Sequence, residues 1–483
     1  MKTNTTNPII KRRTGLLVLS LLILLGAPLQ AQNKQKPNIV FFLVDDMGWN
    51  DVSYAQSQFY ETPNIDKASK EGVVFSQAYA AHPRCVPSRY AMVTGRYPAR
   101  VNSPGPGEGD LTDDTMTLAE PFKAAGYATF FAGKWHLASA ESYPNTQGFD
   151  YNFGGGHAGA PKSYFQPYNV QKSGKGNGKE RNIKNLGDAP VGYYLTDHLT
   201  DKTVTFIREH KDEPFLVYLS HYGVHTPFES KDEKTKAYRK KARSLYGDAE
   251  VEEFALTPTT GETKLRQDNA VYAGMIESMD ESFGRVMGLL EELDLKDNTI
   301  VVFTSDHGGL SNRGNGRKVA TSNLPLKAGK GHNYEGGVRV PMFVSWPSQI
   351  QPGSSSTVIT GTDYFPTLLE LSGLPLENKA HIDGVSFAPS LTQNKLQNTD
   401  RPVFWHSPLP RPKSTGDLTN TAVRLGDYKL LDFYQDGRIE LYNIAKDQEE
   451  SNNLADSMPE KRDELMTLVN DWRKEVNAYM GKK

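Results

Sequence analysis

Four uninterrupted apolar runs, residues 38–44, 127–132, 215–220 and 299–304, constrain this chain more than any other feature. Each has the length of a strand, and none alternates polar with apolar residues. Such runs predict strands buried on both faces, as in a parallel sheet with helices packed on either side. Each run also breaks off at polar side chains. Asp45-Asp46 follow the first, Lys134 and His136 the second, His225 the third and Asp306-His307 the fourth. Ligands of open parallel sheets bind beyond the carboxyl ends of the strands, so the four clusters are predicted to meet in one crevice.

The intervening sequence reads as helices and loops. Thr62, Pro63 and Gly72 cap, open and stop one helix, Gly126 ends another over 118–125, and further helices are predicted over 197–209 and 266–293. The charged stretch 231–253 reads as a solvated helical insertion. Residues 154–188, rich in Gly, Lys, Asn and aromatics without periodicity, read as a long surface excursion. A further strand is predicted at 341–346. Near residue 395 the pattern changes to short strands at 403–406, 428–431 and 439–442 and a closing helix over 458–480. The expected fold class is α/β, a large mixed, mostly parallel sheet sandwiched by helices, with a smaller C-terminal α+β domain. The expected boundaries are 36–395 for the large domain and 396–483 for the small one.

At the N-terminus, Lys11-Arg12-Arg13 precede the apolar run 16–25 and then Ala27-Pro28-Leu29-Gln30-Ala31. This reads as a signal peptide over 1–31, cut after Ala31, with export to the periplasm or beyond. The run is shorter than the roughly 20 residues that span a bilayer, so no stable membrane insertion is expected after cleavage. A formal net charge of −2 over 483 residues supplies no field for gathering nucleic acid. An anionic substrate must therefore be captured locally.

Cys85 is the only cysteine, which is unusual in a chain bound for an oxidising compartment. It opens Cys85-Val86-Pro87-Ser88-Arg89, ahead of a helix that stops at Gly95. Asp45, Asp46 and Asp306 form an oxygen nest too anionic to stay unneutralised, and oxygen-rich ligation favours calcium or magnesium over zinc. No HExxH, CxxC or phosphate-loop motif competes for that role. Arg89, Lys134, His136, His225 and Lys330, the last set between Gly329 and Gly331, complete a site suited to a tetrahedral oxyanion, either sulfate or phosphate.

These residues resemble the type I sulfatases of the alkaline phosphatase superfamily. The resemblance rests on six ordered motifs that cover nearly all of the mature chain. They are Asp45-Asp46, the Cys85 to Arg89 signature with Thr94-Gly95-Arg96, Gly133-Lys134-Trp135-His136, His225-Thr226-Pro227, Asp306-His307-Gly308, and Gly329-Lys330-Gly331 ahead of Tyr334-Glu335-Gly336-Gly337. The resemblance implies an alkaline phosphatase-like fold and a maturation enzyme that oxidises Cys85 to formylglycine, an aldehyde active as its hydrate. One hydroxyl of that hydrate attacks sulfur, and loss of a proton from the other expels sulfate. It further implies that Asp45, Asp46, Asp306 and His307, with an oxygen of modified Cys85, hold one Ca²⁺. Lys134, Lys330 and Arg89 would neutralise the sulfuryl group, His136 would act as base and His225 as acid. Many relatives carry asparagine where His307 stands.

Sulfated carbohydrate is the expected substrate. Aromatics stack on sugar faces while Arg and His bind hydroxyl and sulfate groups. The candidates are His157, Tyr164, Phe165 and Tyr168 in the excursion, Arg317 and His332 around the Lys330 loop, and His406 and Arg411 from the small domain. Two alternatives remain at this stage: a phosphate ester or phosphonate hydrolase of the same superfamily, and a sulfated-glycan binding protein without turnover.

Overall fold

The computed structural model describes residue 1 and residues 36–481, apart from 106–110, 113, 138–141, 170–182, 248–252, 258–259, 316 and 394–399. The signal-peptide reading over 1–31 lies outside the described residues. No helix among those described is long and apolar enough to cross a membrane.

The four apolar runs form adjacent strands at the centre of an eight-stranded sheet. From one edge its order is Gly353–Ser355, Val73–Phe75, Met342–Ser345, Thr299–Ser305, Asn38–Val44, Phe215–Ser220, Ala128–Gly133 and Tyr151–Phe153. All neighbours run parallel except Met342–Ser345, which is antiparallel to both of its partners. The sheet is therefore mixed and mostly parallel.

Alternation along the first strand shows why the apolar runs are continuous. Val40, Phe42 and Val44 face a core beneath helices Leu195–Glu209 and Ala270–Glu292, whereas Ile39, Phe41 and Leu43 face a second core beneath Cys85–Thr94, Ala119–Ala124 and Tyr364–Leu371. Both faces are dry, so neither can carry polar residues.

The C-terminal region adds the antiparallel sheet Val403–Ser407, Asn420–Leu425, Tyr428–Phe433 and Arg438–Asn443, paired in that order. One face, with Trp405, Leu431 and Tyr442, packs on Tyr334 and Val338 beside the Lys330 loop. The other lies beneath helix Pro459–Glu475.

Three expectations need correction. The described part of 154–188 is no surface excursion, because Ala158, Tyr164, Tyr168, Ile183 and Leu186 are buried in the main core. The charged stretch forms helix Asp232–Tyr246, but Lys234, Thr235 and Tyr238 are buried, so one face packs inward rather than standing in solvent. The strand Asn420–Leu425 and the small sheet of Phe254–Thr257, Gly261–Lys264 and Asn312–Arg313 were not anticipated.

Candidate active site

Strand register explains the convergence of the polar clusters. Val44 pairs with Ser305, Leu43 with Ser220, and Gly133 with Ser220, so the four strands end at one level. Asp45, Asp306 and Lys134 emerge there side by side. Backbone bonds fix the exits: Asp306 N donates to Val44 O at 3.1 Å, Asp45 N to Gly223 O at 2.9 Å and Lys134 N to Ser220 O at 2.6 Å. The last approach requires glycine at 133, since a Cβ there would lie 1.8 Å from Ser220 O.

Cys85 is the first residue of helix Cys85–Thr94, whose flanking residues explain its extent. Arg84 is extended at the N-cap, and Gly95 adopts φ 66° while its N–H closes on Ala91 O. The thiol points into the carboxylate cluster. Its Sγ lies 3.2 Å from His307 Nε2 and 3.6 Å from Lys330 Nζ. Burial pushes the thiol up, but Lys134, Lys330 and His307 outweigh it and hold the thiol well below its ordinary range.

Every carboxylate in the cluster faces a cation. Lys134 Nζ donates to Asp45 Oδ2 at 2.6 Å, and Lys330 Nζ to Asp46 Oδ1 at 2.6 Å. Arg89 reaches Asp306 Oδ2 through Nε at 3.0 Å and Nη2 at 2.9 Å. Its Nη1 also donates to Lys134 O at 2.8 Å and Ser220 Oγ at 2.7 Å. Burial raises both Asp46 and Asp306; Lys330 with the histidines outweighs it at Asp46, and His307 with Arg89 at Asp306, leaving both lowered. Asp45 is raised, because burial there exceeds the pull of Lys134.

Histidine tautomers follow from the backbone. His307 Nδ1 lies 3.0 Å from Gly308 O and His225 Nδ1 lies 2.8 Å from Thr226 O, so each donates there and turns Nε2 toward the site. His307 Nε2 lies 3.2 Å from Asp46 Oδ1, and His225 Nε2 3.7 Å from Asp46 Oδ2. Burial lowers His225 to about 3, with Lys330 adding to it. His136, at φ 56°, is lowered to about 4 by burial, against a hydrogen bond to Cys85.

The donor set fits a hard divalent cation. Ligand atoms of Asp45, Cys85, Asp306 and His307 lie within 4.8 Å of one another, as do those of Asp46, Cys85 and His225. Asp45 Oδ1 is buried and accepts no hydrogen bond, with Arg89 Nη2 at 3.4 Å, so it keeps a lone pair for a cation.

The expected substrate residues do not gather with these groups as a set. Tyr164 is fully buried, and its hydroxyl donates to Tyr222 O at 2.6 Å and His225 O at 2.8 Å, so its ring cannot stack on a sugar. Both ring nitrogens of buried His406 are occupied, by Thr421 Oγ1 and Tyr479 O. His332, also buried, contacts Thr415 O at 2.8 Å. Tyr168 is buried against His198, and Phe165 is half-buried. Exposed His157 meets Tyr143 Oη, Arg317 donates to Ser414 Oγ, and Arg411 is exposed. Two supports of the site gave no signal in sequence: Ser220, which also donates to Lys134 O at 2.7 Å, and Gly159, where a Cβ would lie 2.4 Å from the His136 ring.

Residues 37–374 match the family described as Sulfatase, and residues 329–477 match the family described as N-sulphoglucosamine sulphohydrolase, C-terminal. The N-acetylgalactosamine-6-sulfatase of Sus scrofa is 32% identical over 436 residues, covering 84% of this chain and 72% of that protein. The N-acetylgalactosamine-6-O-sulfatase of Bacteroides thetaiotaomicron is 28% identical over 513 residues, covering 91% of this chain and 93% of that protein. Among solved structures, Ps i-CgsB in complex with k-i-k-neocarrahexaose superposes with a TM-score of 0.75 at 30% identity, covering 92% of this chain and 94% of that one.

Proposed function

Because the chain belongs to the sulfatase family and is a sulfuric ester hydrolase, we propose that it removes sulfate from a sulfated oligosaccharide or polysaccharide, with Cys85 as the precursor of its nucleophile. The observation that carries the reading is the setting of Cys85, whose Sγ sits 3.2 Å from His307 among three buried carboxylates. The sulfated sugars named for the relatives support carbohydrate as the substrate class.

A cysteine thiolate could attack sulfur, but the S-sulfated product would need a second difficult displacement to turn over. Oxidation of Cys85 to formylglycine by a maturation enzyme supplies, as the hydrate, an oxygen nucleophile that avoids this step. Asp45, Asp46, Asp306 and His307 would hold one divalent cation, calcium by its oxygen-rich ligands, which when bound supplies a Lewis acid for the sulfuryl group. Lys134 and Lys330 bring positive charge to the same spot from two sides, and Arg89 holds Asp306 and Asp45 in orientation. His136, held neutral by burial and influenced by Cys85, would take the proton released there. His225 turns Nε2 toward the departing alcohol oxygen and would serve as its acid once that nitrogen has taken up a proton, which the anionic sulfate ester beside it favours. Sugar alkoxides leave poorly, so this proton matters more than it would for an aryl ester.

The N-terminal 31 residues act in this reading as a cleaved export signal, and residues 396–483 as a subdomain bracing the Lys330 loop. The test is peptide mass spectrometry of Cys85 from the native host, alongside sulfate release from a panel of sulfated sugars and phosphate monoesters. Formylglycine and preferential sulfate release are expected. An unmodified Cys85 in active protein overturns the precursor role, and preferential phosphate release overturns the substrate class. Elemental analysis finding zinc or manganese in place of calcium overturns the metal assignment.

A further inference from the structure

Immediately past His225 lies a groove of about 820 Å³ that the chemistry above does not use. It is lined by Thr226, Pro227 and Phe228, by Arg239, Arg243 and Tyr246 of the helix Asp232–Tyr246, by the start of the helix Ala270–Glu292, and by Lys318. Arg239, Arg243 and Lys318 all line this space and are exposed.

The pairing of charges around the groove is uneven. On and beside the same helix, Lys231 meets Asp197 at 2.8 Å, Lys234 meets Glu277 at 2.7 Å and Lys241 meets Glu61 at 2.7 Å. None of those three cations lines the groove, and each is neutralised. Among the described residues, the three cations lining it pair with no acid within 4.0 Å. The one carboxylate in the lining, Asp268, is already engaged by Lys264 at 2.7 Å and Arg266 at 2.8 Å. Among the described residues the groove therefore carries positive charge that no acid pairs with, which an anionic ligand would relieve. The Asn269 side chain accepts from Val271 N and Tyr272 N to cap the next helix, so it does not supply that anion's place. Phe228 and Tyr246 give the lining apolar surface of the kind that sugar faces contact.

His225 links the groove to the cluster. Its Nε2 faces Asp46, and its chain continues directly into the groove wall. An alcohol protonated by His225 must lie on that side, and so must the rest of the sugar chain that carries it.

We propose that this groove is a subsite for a second anionic group, a sulfate or carboxylate on a neighbouring sugar unit, which makes the substrate a polyanionic oligosaccharide. Which unit loses its sulfate rests on the sulfatase reading above; the anion site itself does not. The test compares wild type with the triple variant Arg239→Ala, Arg243→Ala, Lys318→Ala. A control of equal charge change, Lys461→Ala, Arg462→Ala, Lys474→Ala on the C-terminal helix, accompanies them. Dextran sulfate and neutral dextran serve as binding probes, and 4-nitrophenyl sulfate reports the basal reaction. Three exposed cations acting together predict about tenfold weaker dextran sulfate binding in the groove variant. The control should bind as wild type does, neutral dextran should bind to none, and 4-nitrophenyl sulfate turnover should be unchanged. Equal losses in groove and control variants, or no loss in either, overturn the subsite. Absence of sulfate ester turnover in wild type would instead count against the sulfatase reading, while the binding comparison still decides the groove.

Discussion

Arg89 offers the sharpest test of how the site is held, because the residue is only 2% exposed yet touches four groups at the ends of four strands. It reaches Asp306 at 2.9 Å, Asp45 at 3.4 Å, Lys134 O at 2.8 Å and Ser220 Oγ at 2.7 Å. In Arg89→Ala, buried Asp306 loses its guanidinium, Asp45 is left with Lys134 alone, and Lys134 O and Ser220 Oγ each lose a donor. Removing one member of a buried pair costs about 3–5 kcal/mol, and a loss in that range is expected from Asp306. Arg89→Lys keeps the charge but cannot span Asp306 and the Lys134 carbonyl together, so about 2–3 kcal/mol is expected to be lost. Urea unfolding gives the stability of each variant. Turnover is divided by the fraction of converted Cys85 from mass spectrometry, since Arg89 also lies in the stretch that the maturation enzyme would read. On that basis kcat/KM should fall about hundredfold or more in Arg89→Ala. If Arg89→Ala unfolds within about 0.5 kcal/mol of wild type, the carboxylates do not depend on the guanidinium and the reasoning fails.

Gly159→Ala would put a methyl group 2.4 Å from the His136 ring, so the ring must move; a fall in kcat/KM of about a hundredfold is expected, and unchanged kinetics would show that the ring position is immaterial. Tyr164→Phe deletes the hydroxyl shared by the Tyr222 and His225 carbonyls, and should cost about 1–3 kcal/mol in urea unfolding while lowering kcat more than it raises KM. Burial pushes Glu450 up to about 7, with Lys429 opposing and Glu335 adding. A raised carboxyl binds its proton more tightly in the folded chain, so its contribution is full below about 4.5 and is lost as pH climbs toward 7. Unfolding free energies of wild type should therefore decline relative to Glu450→Gln across that window, and parallel curves would refute the assignment.

Much of the fold was legible because its central signal is local. An apolar run that breaks off at Asp45-Asp46 or Asp306-His307 carries both the strand and the position of its end within a few residues. Parallel pairing then brings such ends together without any information about which strand neighbours which. Signals that depend on distant partners were silent. Asn420–Leu425 reads as a strand only once Val403–Ser407 and Tyr428–Phe433 lie on either side. The 154–188 stretch looked solvated because its aromatics lack a period, yet irregular backbone can still bury Tyr164 and Tyr168 where carbonyls and His198 accept their hydroxyls.

The same distinction separates the residues that converge on Cys85 from those that do not. Lys134, Lys330, Asp45 and Asp46 sit next to strand ends or glycine turns, which fix where their side chains begin, so residue type and position together were informative. His332, His406 and Tyr164 have side chains equally suited to a sugar, but their roles are decided by Thr415 O, Tyr479 O and His225 O, each distant in sequence. A polar side chain with its hydrogen bonds met inside the protein has little left to offer a ligand. Exposed cations that no described acid pairs with, such as Arg239 and Arg243 past His225, are where that capacity remains, and only the pairing of the acids around the helix with other lysines reveals them.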